Sequence, residues 1–251
     1  MKSLLSISCL SLLAAVALSG CGAPSAPENS ADVPTVAPTK TNEDERYRAT
    51  NADDQQFAPD AKPETIAAYK KAMKEVHQQR PPLDMKVPDK TRVIMQTSRG
   101  PITLELDGKA APLHVKSFLY LAGKGFYDGT VFHRRDDLTQ DGKGFIVQGG
   151  DPLTKIAGTS ELYGMGGPGY EIPREKNKLT HEKLVIAAAR TQDPDSAGSQ
   201  FYITQGAVPF LDTGYGYTVF GKVVGGKDVA LKLAKGDKIQ SVKIENASSK
   251  N

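Results

Sequence analysis

Apolar and polar residues alternate with a period of two from Thr91 onward. Val93–Thr97 and Ile102–Leu106 flank Ser98-Arg99-Gly100-Pro101, and Ile102, Leu104 and Leu106 alternate against Thr103 and Glu105. That pattern predicts a hairpin. Leu184–Ala189, Phe201–Thr204 and Tyr217–Val224 are further short apolar runs, and Ile239–Ile244 alternates as a closing strand. Between Phe132 and Asp151, two apolar runs enclose a polar loop, Arg135–Gly144, which reads as a second hairpin with Arg134 and Gln148 near the ends of the loop. Three stretches change period. Pro63–Arg80 places Ile66, Tyr69, Met73 and Val76 on one helical face before Pro81-Pro82 stops it. Pro112–Ala122 does the same with Val115, Phe118, Leu119 and Ala122, opening on Pro and ending at Gly123. Gly226–Ala234 gives a shorter helix carrying Val229, Leu231 and Leu233.

Many short strands with few helices indicate an all-β domain over residues 91–246, and the pattern leaves sandwich and barrel both open. Asp151–Thr180 reads as an irregular structural loop. Its glycine run, Gly164–Gly169, lacks the preceding strand and following helix of a phosphate cradle. The 63–82 helix is expected to pack on the body of the protein.

Composition matters most at the N-terminus. Residues 1–20 carry Lys2 and then the apolar run Leu4–Leu18, which is short for a membrane span and fits a signal peptide. The run ends in Leu18-Ser19-Gly20-Cys21, which resembles a bacterial lipobox and implies lipidation of Cys21, a membrane anchor and a place in the cell envelope. Residues 21–62 are rich in Pro, Ala, Asn, Asp and Thr and are expected to form a disordered tether. The other cysteine, Cys9, lies in the leader, so the mature chain holds neither a disulfide nor a thiol cluster for zinc. The net charge of +3 arises from 32 basic against 29 acidic residues. No basic patch interleaves with aromatics, which argues against nucleic acid as a partner. The sequon at Asn246-Ala247-Ser248 has no consequence in a bacterial lipoprotein.

The chemistry is expected in Phe132–Asp151, FHRRDDLTQDGKGFIVQGGD. By itself this is a surface hairpin carrying a solvated Arg. Two further stretches, AGSQFYIT at 197–204 and FLDTGYGYTVFGK at 210–222, change the reading. Together with FHR and F-x-x-QGGD they resemble the cyclophilin family of peptidyl-prolyl isomerases, over about Thr91 to Glu245. The resemblance implies a closed eight-stranded antiparallel barrel capped by two helices, with the 63–80 helix as an addition. It implies Arg134 as the catalytic donor, Gln148 as the residue that fixes it and binds substrate backbone, and His133 as an orienting residue. It also implies a proline pocket of Phe145, Ile146, Phe201, Tyr202 and Leu211, and a peptide groove that includes Ala189 and Thr191. Phe210 and Tyr217 are expected to bind substrate as well; they stand where many eukaryotic members have Trp and His, which puts cyclosporin-type ligands in doubt.

An Arg suits the reaction because it stays protonated and presents rigidly directed N–H groups. No metal or cofactor is called for. Asp137, Thr139, Asp141 and Gly142 half-match a calcium loop, but Gln148 occupies its twelfth position and no helices flank it. Ser199 with His133 lacks the G-x-S-x-G turn of a hydrolase. His77, His114 and His181 are given no catalytic or metal role. The sequence thus predicts a monomeric, membrane-tethered isomerase acting on proline-containing segments of exported proteins. A non-catalytic proline-peptide binder or holdase is the competing class, and an envelope scaffold using the 63–80 stripe is a weaker third.

Overall fold

A computed structural model describes residues 46–57, 59–76, 80–82, 84–214 and 216–245. Cys21, His77 and the sequon at 246–248 lie outside these. Of the tether expected over 21–62, residues 46–57 and 59–62 are described; most of them are exposed, and Tyr47 ties the segment to the body. Tyr47 is buried, its hydroxyl donating to the Leu113 carbonyl (3.0 Å) and its ring meeting Tyr170 edge-on. Next comes a two-residue strand, β1 (Arg48–Ala49), too short to leave an alternation signal. α1 (Pro63–Val76) buries Tyr69, Ala72 and Met73 against Leu153 and Leu162, so its apolar stripe does pack on the body.

The predicted first hairpin is β2 (Lys90–Thr97) and β3 (Gly100–Asp107), with Val93, Met95, Ile102, Leu104 and Leu106 fully buried. α2 (Pro112–Gly123) opens on Pro, and Glu175 caps it from the long loop. The Glu175 carboxylate accepts from the backbone N–H of Leu113 (2.9 Å) and His114 (3.0 Å) and bonds His114 Nδ1 (2.7 Å). Those N–H groups have no partner within the helix, and a carboxylate there also suits the helix dipole.

Further along are β4 (Arg134–Asp137), β5 (Phe145–Gly149), the short β6 (Tyr170–Glu171), β7 (Val185–Ala188), β8 (Phe201–Thr204) and β9 (Val219–Gly225). α3 (Lys227–Lys232) and β10 (Ile239–Ile244) complete the order. β6 pairs with β1, and both were missed in the sequence. The second expected hairpin forms from β4 and β5, but its first strand runs Arg134–Asp137, mostly within the stretch read as loop, since an edge strand of charged side chains has no apolar face to betray it.

Eight strands form one antiparallel sheet in the order β10-β2-β3-β9-β7-β8-β5-β4. The sheet is a curled half-barrel, which corrects the closed barrel expected from the resemblance: β4 and β10 are its edges, and no ladder joins them. Across that gap run one bridge, Val131 with Lys238, and backbone bonds from Gly129 N to Ile239 O and from Phe132 N to Asp237 O, both 2.8 Å. Regular pairing does not extend beyond these bonds, and on its other side β10 shifts register against β2 between Ile239 and Ser241. The main core lies on the inner face of the sheet. In it Phe118 contacts Tyr127, Phe201 and Phe220, and Phe132 meets Phe201 edge-on. α2 packs on β10 and β3, and α3 on β3 and β9.

Candidate active site

The site is a row across the other face of the sheet. Arg134 of β4 stands opposite Gln148 of β5, Gln148 opposite Tyr202 of β8, Tyr202 opposite Ala187 of β7, and Ala187 opposite Val219 of β9. Residues directly opposite one another in an antiparallel sheet share a face. The row therefore runs from a charged edge into an apolar slot, where Ile146, Ala187, Tyr202, Val208 and Val219 are buried and Ala189, Leu211 and Tyr217 pack against them. The Arg134–Gln148 pair sits at the end of the β4–β5 ladder away from the turn. The strand continues to Asp137, so the polar loop is shorter than the 135–144 read from sequence.

The Arg134 guanidinium is half exposed and held at two points. Nε donates to Asp136 Oδ2 (2.5 Å) and Nη1 to Gln148 Oε1 (3.3 Å). Among the described residues Nη2 has no partner. A relay fixes the orientation of the Gln148 amide. Gln200 Nε2 donates to the carbonyls of Gly164 and Gly166, each at 2.8 Å, so Gln200 Oε1 is left to accept from Gln148 Nε2 (2.9 Å). Gln148 Oε1 then has to face the Arg. Sequence reasoning missed both Asp136 and Gln200. Gln200 could have been found, being two residues before Tyr202, or one before Phe201, and so on the Tyr202 face.

Period-two geometry also corrects the expected pocket. Phe145-Ile146 and Phe201-Tyr202 are each consecutive in a strand, so only one of each pair can face the slot. Ile146 and Tyr202 do. Phe201 turns into the main core. Phe145 falls with Val147 and Gly149 on the opposite face, its ring 3.9 Å from the Arg135 guanidinium. Phe210 is 43% exposed and outside the slot. Thr191 is exposed, its hydroxyl 2.7 Å from that of Ser196. Tyr217 meets Tyr202 edge-on and lies 4.0 Å beneath the Arg190 guanidinium.

The Tyr202 hydroxyl is engaged behind the slot by His181 Nε2 (2.7 Å), whose Nδ1 bonds Asp212 (2.5 Å). Burial lowers the His181 pKa, and Asp212 opposes that shift. His133 is 7% exposed, and burial, followed by the charges of Arg134 and Lys235, pushes its pKa down to about 4. It is neutral at neutral pH. Asp137 spends its carboxylate on the loop: Oδ1 accepts from Thr139 and from Gly144 N, and Oδ2 from Gly142 N. Among the described residues no group of three or more His, Cys, Asp or Glu is arranged to hold a metal.

Residues 92–249 match the family model of the cyclophilin type peptidyl-prolyl cis-trans isomerases. The chain belongs to this family. Similar proteins include peptidyl-prolyl cis-trans isomerase A of Dickeya dadantii, 41% identical over 160 residues, covering 62% of this chain and 74% of that protein. Isomerase B of Bacillus subtilis is 39% identical over 158 residues, covering 62% of this chain and 99% of its own. Among solved structures, a cyclophilin of Cryptosporidium parvum superposes with a TM-score of 0.53 at 28% identity, over 62% of this chain and 98% of that one. This cyclophilin is a peptidyl-prolyl isomerase by family. Residues 46–82 lie outside the matched domain, so β1 and α1 are additions to it.

Proposed function

We propose that this chain isomerises X-Pro bonds in exported or envelope polypeptides, with Arg134 as the catalytic donor, from a lipid anchor at Cys21. The observation that carries the catalytic part is the row on the sheet's outer face, a guanidinium at one end and an apolar slot at the other, with Gln148 between them. Amide resonance sets the barrier to rotation at about 18–20 kcal/mol. As the bond twists, the prolyl nitrogen regains a lone pair that the planar ground state does not offer. A donor aimed at it binds the transition state in preference to the substrate.

Asp136 and Gln148 hold Nε and Nη1 and leave Nη2 to meet the nitrogen, while the proline ring sits among Ile146, Tyr202 and Leu211. The reaction transfers no proton, which agrees with a neutral His133 serving to position its neighbours. A similar Cryptosporidium cyclophilin (28% identity) was solved in the presence of the dipeptide Ala-Pro, a ligand of the proposed class. Anchoring is supported by the Leu4–Leu18 run and the Leu18-Ser19-Gly20-Cys21 motif.

The test is isomerisation of a short proline peptide by wild type and Arg134→Ala. The rate should fall roughly 10²–10³-fold, as when one transition-state donor is removed, with folding unchanged. Equal rates would leave peptide binding without catalysis.

A further inference from the structure

We propose that His181 is a positioning residue that sets the width of the proline slot. It pins the turn that carries Leu211 to the strand that carries Tyr202, and so makes the site select a five-membered ring. The inference rests on the isomerase reading above and concerns the same slot. The floor and the wall of that slot are held by different means. On the floor, Tyr202 lies in β8, which is laddered to β5 on one side and to β7 on the other. The wall is the connection from β8 to β9, where Val208 leads into a single 3₁₀ turn, Pro209–Asp212, that brings Leu211 against the slot. None of the four turn residues is fully buried, and Phe210 is exposed. Apolar burial by itself therefore holds this wall weakly.

Polar bonds through His181 add the rest. His181 precedes β7, and its side chain is wholly buried. Its backbone carbonyl accepts from Val208 N (2.9 Å), and its backbone N–H donates to Asp212 Oδ1 (3.0 Å). The ring then joins wall to floor, Nδ1 bonding Asp212 Oδ1 (2.5 Å) and Nε2 the Tyr202 hydroxyl (2.7 Å). A carboxylate only accepts, so the neutral ring carries its proton on Nδ1 and takes the Tyr202 O–H at Nε2. The same ring stacks on Tyr202, centroids 5.8 Å apart, and meets Tyr217 edge-on at 6.4 Å. The far end of the connection is tied separately, Arg190 donating from Nη2 to the Gly216 carbonyl (2.9 Å) and covering Tyr217. Leu211 and Tyr202 thus keep a set separation only while His181 bridges them.

That separation matters because an apolar slot reads shape alone. It tells a proline ring from a larger one only by refusing the extra methylene. Refusal requires walls that do not yield, as in a close-packed interior. A turn free to move outward would admit the larger ring.

The experiment measures kcat and KM by NMR exchange for a proline peptide and for the same peptide with pipecolic acid, the six-membered homologue. Wild type should favour proline by about tenfold or more in kcat/KM. Asp212→Ala, which cuts the tie at the wall, should lose most of that preference and raise KM for the proline peptide more than it lowers kcat. Tyr202→Phe cuts the tie at the floor while keeping the aromatic ring, and should lose the preference too; it decides the matter if Asp212→Ala does not fold. Asp212→Asn retains an oxygen facing Nδ1 and the His181 N–H and should keep the preference. A wild type indifferent to ring size, a preference intact in either folded variant that cuts the tie, or an Asp212→Asn that behaves as Asp212→Ala would overturn the proposal. Arg134→Ala turning over the proline peptide as fast as wild type would instead overturn the isomerase reading, so the two failures are separable.

Discussion

Two histidines show what burial does to single residues near this site. The His133 pKa of about 4 lies below the roughly 6.5 of an exposed His. As the pH falls, the unfolded chain takes up this proton first. The stability held by neutral His133 is therefore complete above about pH 6.5, declines from there to about pH 4, and is lost below. The difference corresponds to about 3 kcal/mol. Urea unfolding at pH 7 and pH 4.5 should show a steeper acid loss for wild type than for His133→Gln, and parallel losses would contradict it. His181 depends on a partner instead. Tyr202→Phe removes the hydroxyl that engages its Nε2 and should cost about 1–3 kcal/mol, the usual effect of orphaning a buried polar atom. Because the slot stays apolar, isomerisation should persist; an unchanged urea midpoint would show that the bond contributes nothing.

At the scale of elements, the loop after β5 is tied to the proposed catalytic row. Asp151 is fully buried, and burial raises its pKa against the backbone N–H groups of Gly164, Leu153 and Gly166 that favour its charge. A Cβ on Gly166 would fall 2.1 Å from Asp151 Oδ1 and 2.9 Å from Leu153 Cγ. Gly166→Ala thus has to displace the carboxylate, or move the Gly166 carbonyl that receives Gln200. Overpacking of this kind costs about 1–3 kcal/mol. The disturbance should pass through Gln200 and Gln148 to Arg134, lowering kcat/KM about tenfold together with the melting temperature. A variant that melts lower yet turns over normally would show that the relay does not matter for catalysis.

For the whole molecule, the family domain is a curled sheet with the proposed site on the outer face of one edge, and β1 and α1 lie against the loops that follow β5. Among the described residues no helix is long and apolar enough to cross a membrane; the proposed attachment is through acyl chains at Cys21. Each buried methylene contributes about 0.8 kcal/mol, and more than one chain is needed for stable attachment. Expressed in a bacterium, wild type should incorporate labelled palmitate and sediment with membranes, and Cys21→Ser should do neither. Equal labelling of the two would end the lipoprotein reading.

The strands and helices that bury a face were legible because burial imposes a period: Val93, Met95, Ile102, Leu104 and Leu106 on strands, Val115, Phe118 and Leu119 on a helix. Arg134, Gln148 and Tyr202, the residues of the proposed site, were singled out from motifs alone. What periodicity could not mark were elements made by pairing rather than burial, namely the charged edge strand β4 and the two-residue β1 and β6. Nor could a motif say which of two consecutive aromatics faces the slot. Phe201 and Tyr202 were separated only when strand register assigned each a face, and the sheet's unpaired edges emerged only from the order in which the strands pair. Asp136, Gln200 and the Tyr47 anchor gained their roles in the same way: the chain fixes which side chains are available, but proximity between distant segments, a property of the fold, decides which of them act together.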